Sequence, residues 1–100
     1  MTSFEALADP NRRKILDLLR EGEMPAGAFS AELSISQPGI SKHLRLLREA
    51  NLVSVRTEGQ KRLYRLKDEG LADVAAWLAP YRRIWADRLA RLEDHLEREQ

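Results

Sequence analysis

The sequence predicts a mainly α fold with a small β-hairpin: a winged helix-turn-helix with N- and C-terminal helices suited to dimerisation. Three observations predict it. Residues 36–50 read as a helix with one apolar side and one polar, basic side. Residues 52–66 read as two short strands around a glycine turn. Residues 68–98 carry a long apolar stripe at helical spacing, outside the compact motif.

The elements follow in order. Ser3 to Ala8 reads as a short helix, with Phe4 and Leu7 three residues apart. Asp9-Pro10 is a cap followed by proline at the first helical position, so a second helix starts there. It is expected to run to about Glu21, to bury Ile15, Leu18 and Leu19, and to stop at Gly22. Met24-Pro25 is expected to open a third, shorter helix reaching about Leu33, with Phe29 and Leu33 as its apolar face. Ser34-Ile35-Ser36 is the tight turn into the fourth helix.

That fourth helix carries the strongest signal. Ser36 is a good N-cap, and Pro38 lies in the first turn, where a missing N–H costs little. Ile40, Leu44 and Leu47 fall on one side, facing a core. Gln37, Pro38, Ser41, Lys42 and Arg45 fall on the other side, near the helix start. Asn51 ends the helix, since asparagine tolerates the left-handed cap. Strands follow from Leu52 to Thr57 and from Lys61 to Leu66, around Glu58-Gly59-Gln60. Asp68 is expected to cap a helix bearing Leu71, Val74, Ala75 and Leu78, and Pro80 to break or kink it. A last helix then runs from about Pro80 to near the end. Trp77, Leu78, Tyr81, Ile84, Trp85, Leu89, Leu92 and Leu96 form its apolar side.

Composition narrows the function classes. One hundred residues, 43% of them hydrophobic, suit one domain over residues 1–100, and oligomerisation would help so small a chain bury surface. There is no cysteine, which excludes disulfides and thiolate metal sites. No apolar run approaches membrane-spanning length and no signal segment opens the chain, so no membrane partner is expected and a cytoplasmic location is the default. The chain starts at Met1, and a complete protein is the expectation. Neither a phosphate-cradling glycine loop nor a Cys nucleophile, metal triad or Ser/His/Asp set is present. An enzyme is therefore not expected, and no catalytic residue, metal or cofactor is assigned.

Charge is distributed rather than absent. The chain as a whole carries only +1. Residues 36–67 hold Lys42, Arg45, Arg48, Arg56, Lys61, Arg62, Arg65 and Lys67 against Glu49 and Glu58, a surplus of six that leaves the remainder at minus five. Positive charge is thus concentrated on the helix-hairpin segment, the electrostatic footprint of a nucleic-acid surface. Gln37 and Ser41 suit base edges in a major groove, with Lys42 and Arg45 able to reach bases or phosphates. Arg12 and Arg13 at the second helix, and Arg56, Lys61 and Arg62 on the hairpin, are expected to hold phosphates. His43 lies at the edge of the core stripe; a packing role and a phosphate contact both fit it. A competing reading is a protein-interaction module of the same fold that uses its tail as a docking surface.

The residues also resemble a known family. Phe4-Glu5-Ala6-Leu7-Ala8-Asp9-Pro10, then Arg12-Arg13 and Ile15-Leu16, look like the opening of ArsR-type winged-helix repressors. Ser36-Gln37-Pro38, Ile40-Ser41, His43-Leu44, Leu47-Arg48 and Ala50-Asn51-Leu52-Val53 resemble that family's recognition helix and exit. Gly59 and Tyr64 sit where its wing places a turn glycine and an aromatic. The tail resembles the subgroup lacking the cysteine metal-sensing motif. The resemblance implies a homodimeric repressor on palindromic double-stranded operators, often its own, released by an inducer. Phe4, Leu7, Trp77, Tyr81, Trp85, Leu89, Leu92 and Leu96 are the expected dimer interface.

One departure bears on that inducer. Where arsenic- and cadmium-sensing members place cysteines, this chain reads Met24-Pro25-Ala26-Gly27-Ala28-Phe29. On the last helix, His95 stands among Glu93, Asp94 and Glu97. One histidine with acidic neighbours reads as a solvated face, since zinc sites usually combine several N or S ligands. Metal sensing is therefore not expected. An unknown small-molecule or protein inducer stays open, with the aromatics Trp77, Tyr81 and Trp85 as one way to line a pocket and core or dimer packing as the other.

Overall fold

Three of the helices begin where a side chain accepts a free N–H group of the first turn. In the computed structural model, which describes residues 1–99, Thr2 caps helix α1 (Ser3–Leu7) in a reciprocal box with Glu5, both hydrogen bonds being 3.1 Å. Asp9 caps α2 (Pro10–Leu19), its Oδ1 accepting from the backbone of Asn11 at 2.8 Å and Arg12 at 3.2 Å. Ser36 caps α4 (Gln37–Glu49) through the Gly39 N–H. Asn51 leaves that helix at φ 59°, the left-handed exit its side chain tolerates.

The segment between α2 and α4 departs from expectation. Met24–Pro25 does not open a helix; it forms a two-residue strand, β1. A 3-10 turn over Ala26–Ala28 and a short α3 (Phe29–Glu32) follow. Strands β2 (Val53–Glu58) and β3 (Lys61–Leu66) form the expected hairpin, and β1 pairs antiparallel with β3, Met24 opposite Tyr64. The sheet order is β1-β3-β2. Pro25 is tolerated because β1 is an edge. Gly59 enters the two-residue turn at φ +62°, which suits a hairpin connection whose twist must match its strands.

The core lies between α2, α3, α4 and the inner face of the sheet. Phe29, Ile15, Ile40, Leu44, Leu47, Leu52 and Val53 are its fully buried side chains. Tyr64 closes it edge-on to Phe29, with ring centroids 6.4 Å apart. Leu18, expected inside, is only partly buried.

The last element corrects two expectations. Helix α5 runs unbroken over Glu69–Arg98, with Pro80 inside it. Proline removes one hydrogen bond and crowds the carbonyl four residues back, that of Ala76, which lies on an exposed stretch where water can satisfy it. Thirty residues propagate the helix on either side of that defect. Asp68 precedes α5 but makes no capping hydrogen bond with its side chain. The start is fixed instead by Gly70, whose N–H donates to the Asn51 carbonyl at 2.8 Å. A Cβ at Gly70 would stand 2.4 Å from the Ala50 carbonyl oxygen, so only glycine lets α5 rest on the end of α4. A 30-residue helix is about 45 Å long. The longest extent of the molecule is 57 Å, so α5 sets its shape.

Candidate nucleic-acid interface

The first turns of α4 carry the set expected to face a groove. Gln37, Pro38, Ser41, Lys42 and Arg45 are all exposed, on the side opposite Ile40, Leu44 and Leu47. The apolar side anchors the helix, so the polar side stands rigidly away from the body. Gln37 is held: its Nε2 donates to Ser30 Oγ on α3 at 2.7 Å. Ser30 was not singled out by the sequence. A lone serine seven residues upstream carries no local signal, and only the crossing of α3 and α4 brings the pair together. Arg45 is engaged by Glu49 at 3.3 Å, an exposed i,i+4 pair.

The wing supplies a second basic surface. Lys61 and Arg62 flank its tip and are exposed, with Arg62 lying 6.0 Å from the Tyr64 ring centroid. Arg56 is less free than its sequence position implies. It makes two hydrogen bonds to Glu23, at 2.8 and 2.9 Å, and an ion pair with Glu58 at 3.2 Å. Those bonds hold the Glu23 carboxyl below the usual carboxylate range and keep Arg56 more firmly charged. All three groups are exposed, so solvent screens the pairs and a phosphate can displace the carboxylates. Glu23 is a second residue invisible to sequence reasoning, placed by the β1–β3 pairing.

Arg12 and His43 go elsewhere. Arg12 is 8% exposed, and its guanidinium donates to the carbonyls of Ala6 at 2.8 Å and Glu5 at 3.1 Å. A nearly buried guanidinium spent on internal carbonyls is not presented to solvent. Arg13 is exposed and ties the end of α1 through the carbonyls of Leu7 and Ala8. His43 is half-buried and faces Arg12, its Nδ1 3.4 Å from Nη1.

A separate apolar surface runs along α5. Trp77, Tyr81, Ile84, Trp85, Leu89, Leu92 and Leu96 are each between 41% and 59% exposed. The rings follow one another along the helix, Trp77 to Tyr81 at 4.9 Å and Tyr81 to Trp85 at 6.2 Å, and Phe4 of α1 meets Trp77 edge-on at 5.9 Å. Beyond the Phe4–Trp77 contact the stripe stays about half exposed. Leu7 is partly buried against the core, leaving Phe4 as the outward member of the α1 pair. His95 pairs with Glu99 at 2.9 Å, and among the described residues no group of three or more His, Cys, Asp or Glu could hold a metal ion. Among the described residues no helix is long and apolar enough to cross a membrane.

An exposed basic recognition helix, a basic wing and an apolar helix outside the core define the class of winged helix-turn-helix regulators. A helix-turn-helix domain model matches residues 7–56. The transcriptional repressor SdpR of Bacillus subtilis is 44% identical over 75% of this chain and 83% of its own length. A solved structure described as a possible transcriptional regulator for arsenical resistance is 37% identical, with TM-score 0.74, over 87% of this chain and 96% of its own. An ArsR-like regulator from Rhodococcus matches at 31% identity and TM-score 0.72, over 94% of this chain and 86% of its own. The chain belongs to the ArsR family of winged helix-turn-helix repressors, DNA-binding regulators of transcription.

Proposed function

We propose that this repressor acts as a homodimer on a palindromic operator, in front of its own or neighbouring genes, without sensing metal. The observation that carries the reading is the half-exposed α5 stripe beside an otherwise complete core. Burying the remaining half of such a side chain contributes roughly 1 kcal/mol. Seven of them on each of two copies reach the ~4–15 kcal/mol that association costs. Two-fold symmetry would then set two α4 helices on two half-sites. Phe4 joins the interface through Trp77. The chain performs no reaction of its own in this reading and works in the cytoplasm.

The roles divide by position. Gln37 and Ser41 read bases, Pro38 shapes the first turn against the groove, and Lys42 and Arg45 reach bases or phosphates. Arg13, Lys61 and Arg62 hold phosphates, and Arg56 joins them by exchanging Glu23 and Glu58 for a phosphate.

The test has two arms. Light scattering on the wild-type chain and on Leu89→Asp/Leu92→Asp should give a dimer and a monomer; a wild-type monomer at tens of micromolar removes the dimer. Duplex selected from a random library is then titrated at several salt concentrations beside a scrambled duplex. Gln37→Ala and Ser41→Ala should each lose about 1–3 kcal/mol of discrimination while keeping most binding to scrambled DNA. Lys61→Ala and Arg62→Ala should weaken both duplexes alike and flatten the salt dependence by about one unit. Wing variants that change sequence preference would reverse the assignment. Micromolar zinc, cadmium or arsenite should leave operator affinity unchanged, and a specific tenfold loss, about 1.4 kcal/mol, shows a metal site.

A further inference from the structure

Arg12 is almost fully buried, and its guanidinium joins three elements. From α2 it donates Nε–H to the Ala6 carbonyl and Nη2–H to the Glu5 carbonyl, both in α1. Its Nη1 stands 3.4 Å from His43 Nδ1, on α4. Arginine has no acceptor and stays charged, so it is the donor in that contact. A hydrogen bond at this contact runs from Nη1 to a lone pair on His43 Nδ1. The Asp9 carboxylate caps the same turn of α2 through the Arg12 backbone N–H, at 3.2 Å, and so fixes where the guanidinium starts. On the far side of α1, Phe4 meets Trp77 of α5. A continuous chain of contacts thus runs from the apolar stripe through α1 and Arg12 to the reading helix.

We propose that Arg12 is a positioning residue: by clamping His43 to the α1 carbonyls it fixes the angle of α4 against α1 and α5, and hence the separation of the two reading helices in the dimer. The inference rests on the dimeric reading above. A winged helix could bind one half-site with α4 tilted slightly, because the protein can rotate as a whole. Two readers fixed on one two-fold axis have no such freedom. A tilt at the clamp therefore acts on the full palindrome and on the preferred half-site spacing, and leaves a lone half-site nearly untouched.

The experiment uses His43 as the informative position, because Arg12→Met removes the Arg12 donors from the Ala6 and Glu5 carbonyls and can unfold the chain. His43→Leu keeps the bulk and removes the acceptor. His43→Asn restores an acceptor close to where Nδ1 stands. Each variant is titrated with duplexes holding one half-site, two half-sites at the selected spacing, and two half-sites moved apart by one or two base pairs. His43→Leu should lose about tenfold on the two-site duplex, within the usual range of site-to-site coupling. It should lose little on the single half-site and discriminate less between spacings, and His43→Asn should recover both. Imidazole nitrogen spectra of the wild-type chain should show Nδ1 unprotonated and Nε2 protonated. A proton on Nδ1, equal losses on single and double sites, or wild-type spacing preference in His43→Leu each overturns the clamp. Sedimentation separates the two failures: a monomeric wild-type chain overturns the dimer itself, whereas a dimer that reads spacing normally without His43 overturns only the role of Arg12.

Discussion

The body of the molecule and its last helix use apolar residues in opposite ways. Between α1 and β3 the large apolar side chains converge: Phe29, Ile15 and Leu47 have no exposed surface. Along α5 they line up: Trp77, Trp85 and Leu89 are each more than half exposed, and only Gly70, at its first turn, is buried. Both regions show the same 3.6-residue periodicity in sequence, so periodicity identifies a face without saying what covers it. Several short elements pack around α4 and cover its apolar side. Helix α5 reaches past them, and its stripe is left for another surface.

Removing a large ring from each region makes the contrast measurable. Phe29→Ala should cost about 3–5 kcal/mol, by lost burial and the cavity left behind. In denaturant titrations that loss should appear at every protein concentration. Trp85→Ala should lower the unfolding midpoint only where the wild-type chain is associated, because in the proposed dimer its ring supports the partner rather than its own body. Equal, concentration-independent losses from both would show that α5 folds back on its own chain.

The joint between the regions gives the next largest effect. Gly70→Ala places a methyl against the Ala50 carbonyl and the Asn51 backbone, atoms that cannot swing aside. Overpacking of this kind costs about 1–3 kcal/mol. Gly27→Ala is the control, since a Cβ there meets nothing within 4 Å. A thermal melt in which the two variants match would show that α5 does not rest on α4.

The smallest effect concerns acid. Burial pushes the Asp9 carboxyl up, but the N–H groups of Arg12 and Asn11 outweigh it, and its pKa lies below the ordinary 3.8. A depressed carboxylate stabilises the fold fully above its unfolded pKa, and the contribution fades as pH falls through the folded value. Asp9→Ala should cost about 1 kcal/mol at neutral pH, the usual loss of a cap. Asp9→Asn should keep most of the cap and lose part of the destabilisation seen below about pH 4. Chemical denaturation between pH 3 and 7 checks this; an unchanged acid limb in Asp9→Asn would move the sensitivity to Glu5 and Glu23, whose carboxyls are also lowered by hydrogen bonds.

Much of the reading surface was legible in the chain because its signals are local. Ser36, Pro38 and Asn51 mark the ends of α4, Ile40, Leu44 and Leu47 mark its inner side, and Gly59 marks the turn of the wing. Each depends on residues within about one helical turn or one hairpin. Several of the misses are long-range, and Asp68 and Pro80 are local signals that α5 does not follow. Met24–Pro25 is a strand only because Tyr64 and Leu63 lie beside it, and two residues show no period. Arg12 and Arg13 look alike as a dipeptide, yet one is buried at the junction of α1 and α4 and the other lies exposed along the end of α1. Pro80 reads as a break, yet the helix continues through it.

The sequence by itself determined where α1, α2 and α4 begin, which side of α4 turns inward, where the hairpin reverses and where positive charge gathers, because these follow from bonds and spacings between near neighbours. Only the tertiary structure decided which arginines are tied to carbonyls or carboxylates, what orders Gln37, and that the apolar face of α5 beyond its contact with Phe4 is left half exposed. Those outcomes depend on which distant elements meet, and a side chain is buried or free according to what arrives opposite it.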